Sequence, residues 1–257
     1  LNRAQLQAIE TGDFVTMSTA QIKALTTAQM AFLTDGQVAS MSASQMAALD
    51  TADVRQIAPT SFAKISASAI EGLTETQMAA ITSAQAAAIT VSQVAHISDP
   101  TIDNISTSAI SKIAPNVLAS MSNQQLALLT SDQMSVLTSA QIAGFGTEDI
   151  KAFTADQIKA LGTLQVSGIT KVQMPAFTGD QLAAIDSSDI RSIHLDSIAA
   201  INSSQIKSLT TAQVERLSTA QIIKIAPNVI DDLTAEQVEA LNTSQIRALT
   251  ALQIGAL

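Results

Sequence analysis

The chain of 257 residues has no cysteine, no tryptophan and no tyrosine, and its aromatic content is 2 %. Without cysteine there is no disulfide and no thiolate metal site, and the redox compartment stays open. Without tyrosine or tryptophan the usual anchors of a tight protein interface are missing. Long apolar runs are missing too. Hydrophobic residues reach 47 %, but alanine inflates the figure and no stretch approaches the ~18 residues of a membrane span. Nor is there a basic excess: 13 Lys and Arg face 22 Asp and Glu, for a net charge of −9. That charge is spread as −4 over residues 1–128 and −5 over 129–257, so neither half is a basic arm or an acidic tail. The balance argues against nucleic acid and anionic membrane as partners, because both select for clustered cations.

What the sequence does contain is a single octad, read clearly at Leu25-Thr26-Thr27-Ala28-Gln29-Met30-Ala31-Phe32 and repeated without insertion or deletion 32 times, with Leu257 opening another. Position one is Leu, Ile, Met or Phe in all 32 copies, and position six is apolar in all 32. These anchors alternate at spacings of five and three. On an unbroken helix they would drift round the axis by roughly 80° per octad. On an unbroken strand, odd spacings would send them to opposite faces. The backbone must therefore turn once per octad, at the same place each time.

The turn is located by its capping residues. Position two is Ser or Thr in 20 copies and Asn or Asp in five, the side chains that accept from the orphan N–H groups of a helix start. Position five is Gln in 21 copies and Asp in four, completing a capping box. Pro59, Pro115 and Pro227 all occupy position three, the first helical residue, where a missing N–H is harmless. Charge agrees: 16 of 22 acids lie in positions two to five and 11 of 13 bases in positions seven and eight, as the helix dipole favours. Each octad is thus predicted to be one or two extended residues followed by a capped helix of about six residues.

Such a helix is far below the roughly 12–15 residues needed for stability alone in water, so octads must pack on one another. The expected fold is a repeat solenoid, a right-handed β-α, mostly short-helix superhelix of 32 octads, with two or three octads per turn. Residues 1–257 are expected to form one continuous array with no separate domains. The chain starts in phase and neither end has a polar cap, so a piece of a longer array is expected. Position eight is Ala, Gly or Ser in 20 of 32 copies, which would let neighbouring backbones approach. For Gln at position five two readings stand. It is a good capping-box residue, or its neutral amides stack into a ladder where carboxylates would repel.

Some octads depart from the pattern. Residues 57–72, 97–120, 193–200 and 225–232 replace the position-five Gln by Ser61, Ala69, Thr101, Ala109, Val117, Ser197 and Val229. Pro175 falls late in its octad and is expected to end that helix early. Candidate chemistry is thin. His96 and His194 lie in distant octads, one at a helix end and one in a cap slot. Glu148-Asp149, Asp231-Asp232 and the pair Asp186 and Asp189 could attract a cation, but nothing supplies the six to eight oxygens that calcium takes. The many Ser and Thr recur as caps without a His base, so no nucleophile is nominated. The eight Met residues occupy positions one and six and read as core. No catalytic, cofactor-binding or metal residue is assigned, and no cofactor.

The phrase Leu-Thr-Thr-Ala-Gln-Val-Glu-Arg-Leu at 209–217 resembles the octad arrays, rich in Leu-Thr-x-x-Gln-Ile/Val-x-Ala-Leu, of very large secreted or surface bacterial proteins. The resemblance runs the length of the chain. It implies a rigid spacer or adhesive stalk, secreted or at the cell surface, whose partners would be neighbouring repeats or a surface glycan or protein. The same phrase resembles the first helix of transcription-activator-like effector repeats. Those repeats are far longer, with two long helices, a base-reading loop and a charge suited to DNA, and this chain has none of these. A non-enzymatic structural repeat segment is therefore the leading expectation. A binding module for an extended ligand, through exposed positions three, four and seven, is the alternative.

Overall fold

The computed structural model describes residues 1–257. The chain folds as two compact units, residues 1–129 and 130–257. In both units every octad contributes one short helix, and all 30 α-helices start at position three of their octad, as in Thr27–Met30, Pro115–Leu118 and Thr211–Arg216. They run for four to six residues, so six is the upper limit rather than the norm. Position two sits in extended backbone, for example at Thr210 with φ −70° and ψ 155°. No helix is long and apolar enough to cross a membrane.

Within each unit a helix packs on the helix three octads further along: Asp35–Ala39 on Pro59–Phe62 in the first unit, and Thr219–Lys224 on Thr243–Ala248 in the second. This places position-one and position-six side chains in the interior. Ile206, Val214, Ile222 and Ile225 are at most 1 % exposed, and the same holds for Val54, Phe62 and Ile70 in the first unit. Anchors loosen where no further turn covers them, so that Ile246 is 48 % and Ile254 52 % exposed. Position eight is small for the reason expected. At Gly72 an added Cβ would lie 2.2 Å from the carbonyl oxygen of Ala43, and at Gly168 it would lie 2.4 Å from that of Ser139.

One expectation needs correction. There are no strands, and the solenoid is helical rather than β-α. Position one does adopt extended angles, as at Leu209 with φ −64° and ψ 137°, but it has no backbone group left for a ladder. Its N–H donates to the position-six carbonyl of the preceding helix, Leu209 N to Ile206 O at 3.2 Å. Its carbonyl accepts a glutamine side chain from the next turn, Gln237 Nε2 to Leu209 O at 2.6 Å. The right-handed rule applies to crossovers between strands, and without strands it assigns no hand to this winding.

The irregular octads keep the fold. Each of the seven lacking Gln or Asp at position five forms a four-residue helix from position three, as Ala67–Ile70 and Leu195–Ile198 show. Two other octads are the true exceptions. Around Pro175 only a single 3-10 turn, Met174–Ala176, forms, because proline has no N–H to close an α-turn there. In residues 185–192 the cap Asp186 bonds the N–H of Ser188, two residues on, and the chain again makes only a 3-10 turn, Ile190–Ser192.

Candidate functional site

The most repeated polar feature is the position-five glutamine, and it works in two directions. Its Oε1 accepts the N–H of the cap residue, as in Thr210 N to Gln213 Oε1 at 2.8 Å, while the cap hydroxyl accepts from Gln213 N at 3.2 Å. Its Nε2 donates across to the previous turn, to Leu182 O at 2.8 Å and Ile185 O at 2.7 Å. These carbonyls lie 31 and 28 residues earlier and flank the junction between two octads. Gln37, Gln77, Gln85, Gln93 and Gln125 repeat the pattern in the first unit, and Gln173, Gln181, Gln205, Gln221, Gln237, Gln245 and Gln253 in the second. The capping-box reading holds. The amide ladder does not form, because the amide donors go to main-chain carbonyls and not to other glutamines.

This arrangement explains the preference for Gln over Glu at position five. A carboxylate could accept the cap N–H equally well but has no hydrogens to give the two carbonyls. The preference for the neutral side chain was the legible signal that a donor is needed; the identity of its acceptor was not legible. Where Gln is absent, shorter side chains improvise. Ser197 Oγ donates to Ile169 O at 2.8 Å, one of the two carbonyls a glutamine would reach. Ser61 Oγ donates to Asp35 across a turn at 2.5 Å, and Thr163 makes the corresponding bond to Asp189.

The candidate chemical residues have local partners. His96 Nδ1 lies 2.9 Å from Ser92 O, at the end of its own helix. His194 caps the helix Leu195–Ile198, with Nδ1 accepting from Asp196 N at 3.3 Å. The doublets divide. Glu148 pairs with Lys151 at 2.7 Å, while Asp149 accepts from Gly146 N at 2.7 Å. Asp232 pairs with Lys207 at 2.6 Å. That ammonium, together with the hydroxyl of Ser203, holds the Asp232 carboxyl below the ordinary carboxylate range. The N–H and hydroxyl of Ser188 do the same for Asp186. No three His, Asp or Glu side chains come together as a metal site.

Concave features lie at the octad junctions, and three share one register. In the second unit a groove of about 450 Å³ is lined by Ser139, Gly168, Ile169, Lys171, His194 and Asp196, among others. Another of about 360 Å³ is lined by Arg191, Thr219, Asn242 and Gln245. In the first unit the equivalent groove, about 320 Å³, has Glu71, His96 and Asp99 in its walls. The middle turn supplies residues around its octad junction, the turn before supplies position seven (joined in the 450 Å³ groove by positions three and four), and the turn after supplies positions two, four and five. These grooves are not legible in any one octad, because their walls come from three turns at once.

Residues 6–43 and 182–224 match the family model described as the ALTTAQ repeat. The first segment contains that phrase outright, Ala24-Leu25-Thr26-Thr27-Ala28-Gln29, and the second contains Ser208-Leu209-Thr210-Thr211-Ala212-Gln213. Both are therefore repeat sequence in the register of the structural octad, with the phrase running from position eight through the cap to the bridging glutamine. No curated protein matches the chain.

Proposed function

We propose that this chain is a non-enzymatic structural repeat segment, a stiff spacer or adhesive stalk within a large secreted or surface-exposed bacterial protein. The observation that carries this reading is the two-way glutamine. Each turn is tied to the one before it by two buried bonds per regular octad, as Gln205 is to Met174 O and Phe177 O. Such bonds add roughly 0.5–1.5 kcal/mol apiece and, being directional, resist sliding and bending as apolar packing alone does not. The position-two hydroxyls accept main-chain N–H groups at helix starts, as Thr210 does from Gln213 N, which supports a structural role for them. Secretion and a bacterial origin rest on the resemblance of the octad.

Amide hydrogen exchange tests the stiffness. Protection is expected at positions one and six of successive octads through the interior of each unit, rising together and falling only in the outermost turns. Complete exchange of interior octads within seconds would identify a flexible linker and end the spacer reading.

A further inference from the structure

Three residues that break the octad pattern converge on a single groove. Lys171 is one of only two bases outside positions seven and eight; it occupies position three. The other, Arg3, is accounted for by its guanidinium, which lies over the Phe32 ring at 5.4 Å. Lys171 is exposed and forms no ion pair. His194 stands in a cap slot that Ser or Thr usually fills. Ser197 stands where Gln usually bridges, and its shorter side chain leaves open space. This groove, at about 450 Å³, is the largest of the three in register, and the two smaller ones have Gln125 and Gln245 at the corresponding position.

A second groove of the same unit lies in the same register. Arg191 lines the second groove three residues before His194 lines the first. The two are six octads apart in register, or two helix-packing steps, which is roughly 16–20 Å at ordinary helix spacing. Between them the two grooves carry two permanent cations, Lys171 and Arg191, the latter with Nε donating to Arg216 O at 2.6 Å, and a single carboxylate, Asp196, on a chain whose net charge is −9. The equivalent groove of the first unit holds Glu71 and Asp99 and no Lys or Arg.

We infer that the two in-register grooves of the second unit together bind a linear acidic polysaccharide of the uronate class. Lys171 and Arg191 pair with carboxylates on separated sugars. Asp196 accepts from sugar hydroxyls, and the small apolar surface of Ala140 and Ala143 takes a ring face. His194 Nδ1 accepts from Asp196 N, which leaves Nε2 as the ring nitrogen for a sugar hydroxyl. No aromatic side chain lines either groove, so unpaired bases would have no platform on which to stack. The inference extends the spacer reading to a contact along the stalk and rests on different residues.

The test is titration of the whole chain with a tetra-uronate, monitored by NMR shifts or calorimetry, beside a neutral glucose tetramer and an oligo-thymidylate. Saturable binding of the uronate alone is expected, weakening as salt rises. Lys171→Glu should reduce affinity roughly tenfold or more, the loss of one charge-assisted contact, with the circular dichroism spectrum unchanged. His96→Ala, in the first unit, should bind as wild type. No saturation by 10 mM uronate, equal affinity in Lys171→Glu, or oligo-thymidylate binding as tight as the uronate would each overturn the inference. None of these results changes the exchange protection that tests the spacer.

Discussion

Replacing Gln213 by Glu exchanges one NH2 group for an oxygen at a site 1 % exposed. The new carboxylate still accepts the Thr210 N–H, but its second oxygen now faces the carbonyls of Leu182 and Ile185 where Nε2 had donated at 2.8 and 2.7 Å. Leu182 O keeps a partner in Ile185 N, whereas the position-one carbonyl of Ile185 depends on the glutamine. Two lost bonds and one orphaned carbonyl sum to about 3–4 kcal/mol at neutral pH. Burial beside acceptor oxygens also raises the folded-state pKa of the new carboxyl above its unfolded value of about 4.3. A raised carboxyl pKa gives stability that is fully present below the unfolded value and lost as pH rises through the folded one. The variant should therefore approach wild type near pH 4, where the protonated acid donates one bond. It should then lose up to about 1.4 kcal/mol per pH unit towards neutrality. Urea unfolding from pH 4 to pH 8, with hydrogen exchange at Leu182–Ile185 as a local readout, measures this. Gln21→Glu is the control, since that side chain is exposed and its bonds are to its own cap. Equal and pH-independent effects at Gln213 and Gln21 would refute the bridging role.

Further predictions follow from packing and charge. Gly72→Ala should destabilise by about 2 kcal/mol, because the new Cβ meets the Ala43 backbone at 2.2 Å, whereas Gly12→Ala, with nothing within 4 Å, should stabilise by about 0.5–1 kcal/mol. Thermal melts of both variants give the comparison, and a stable Gly72→Ala would contradict the close approach. Ile206→Asp, at a fully buried anchor, should unfold several neighbouring octads, while Thr211→Asp, exposed at a helix start, should be near neutral. Limited proteolysis distinguishes the two, and similar cleavage of both would count against the register. Asp232 has a lowered pKa through Lys207, so its stabilising effect is present above its ordinary value of 3.8 and lost as pH falls through the lower folded value. Asp232→Asn should remove that part of the acid sensitivity, as measured by unfolding midpoints between pH 5 and pH 2.

The sequence by itself determined the length of the unit, the place where the backbone turns and the identity of the core. Those are local consequences of spacing and capping chemistry. Ser and Thr at position two and Pro at position three can start a helix in only one register, and all 30 α-helices start there. Only the tertiary structure decided how turns meet. That the partner of Gln213 is Ile185 O, 28 residues away, depends on helices stacking three octads apart, and nothing inside one octad encodes that number. The absence of strands has the same origin, since the extended residue at position one gives its carbonyl to a side chain arriving from the next turn. Lys171 likewise stands 23 and 26 residues from His194 and Ser197 along the chain and becomes their neighbour only when successive turns stack.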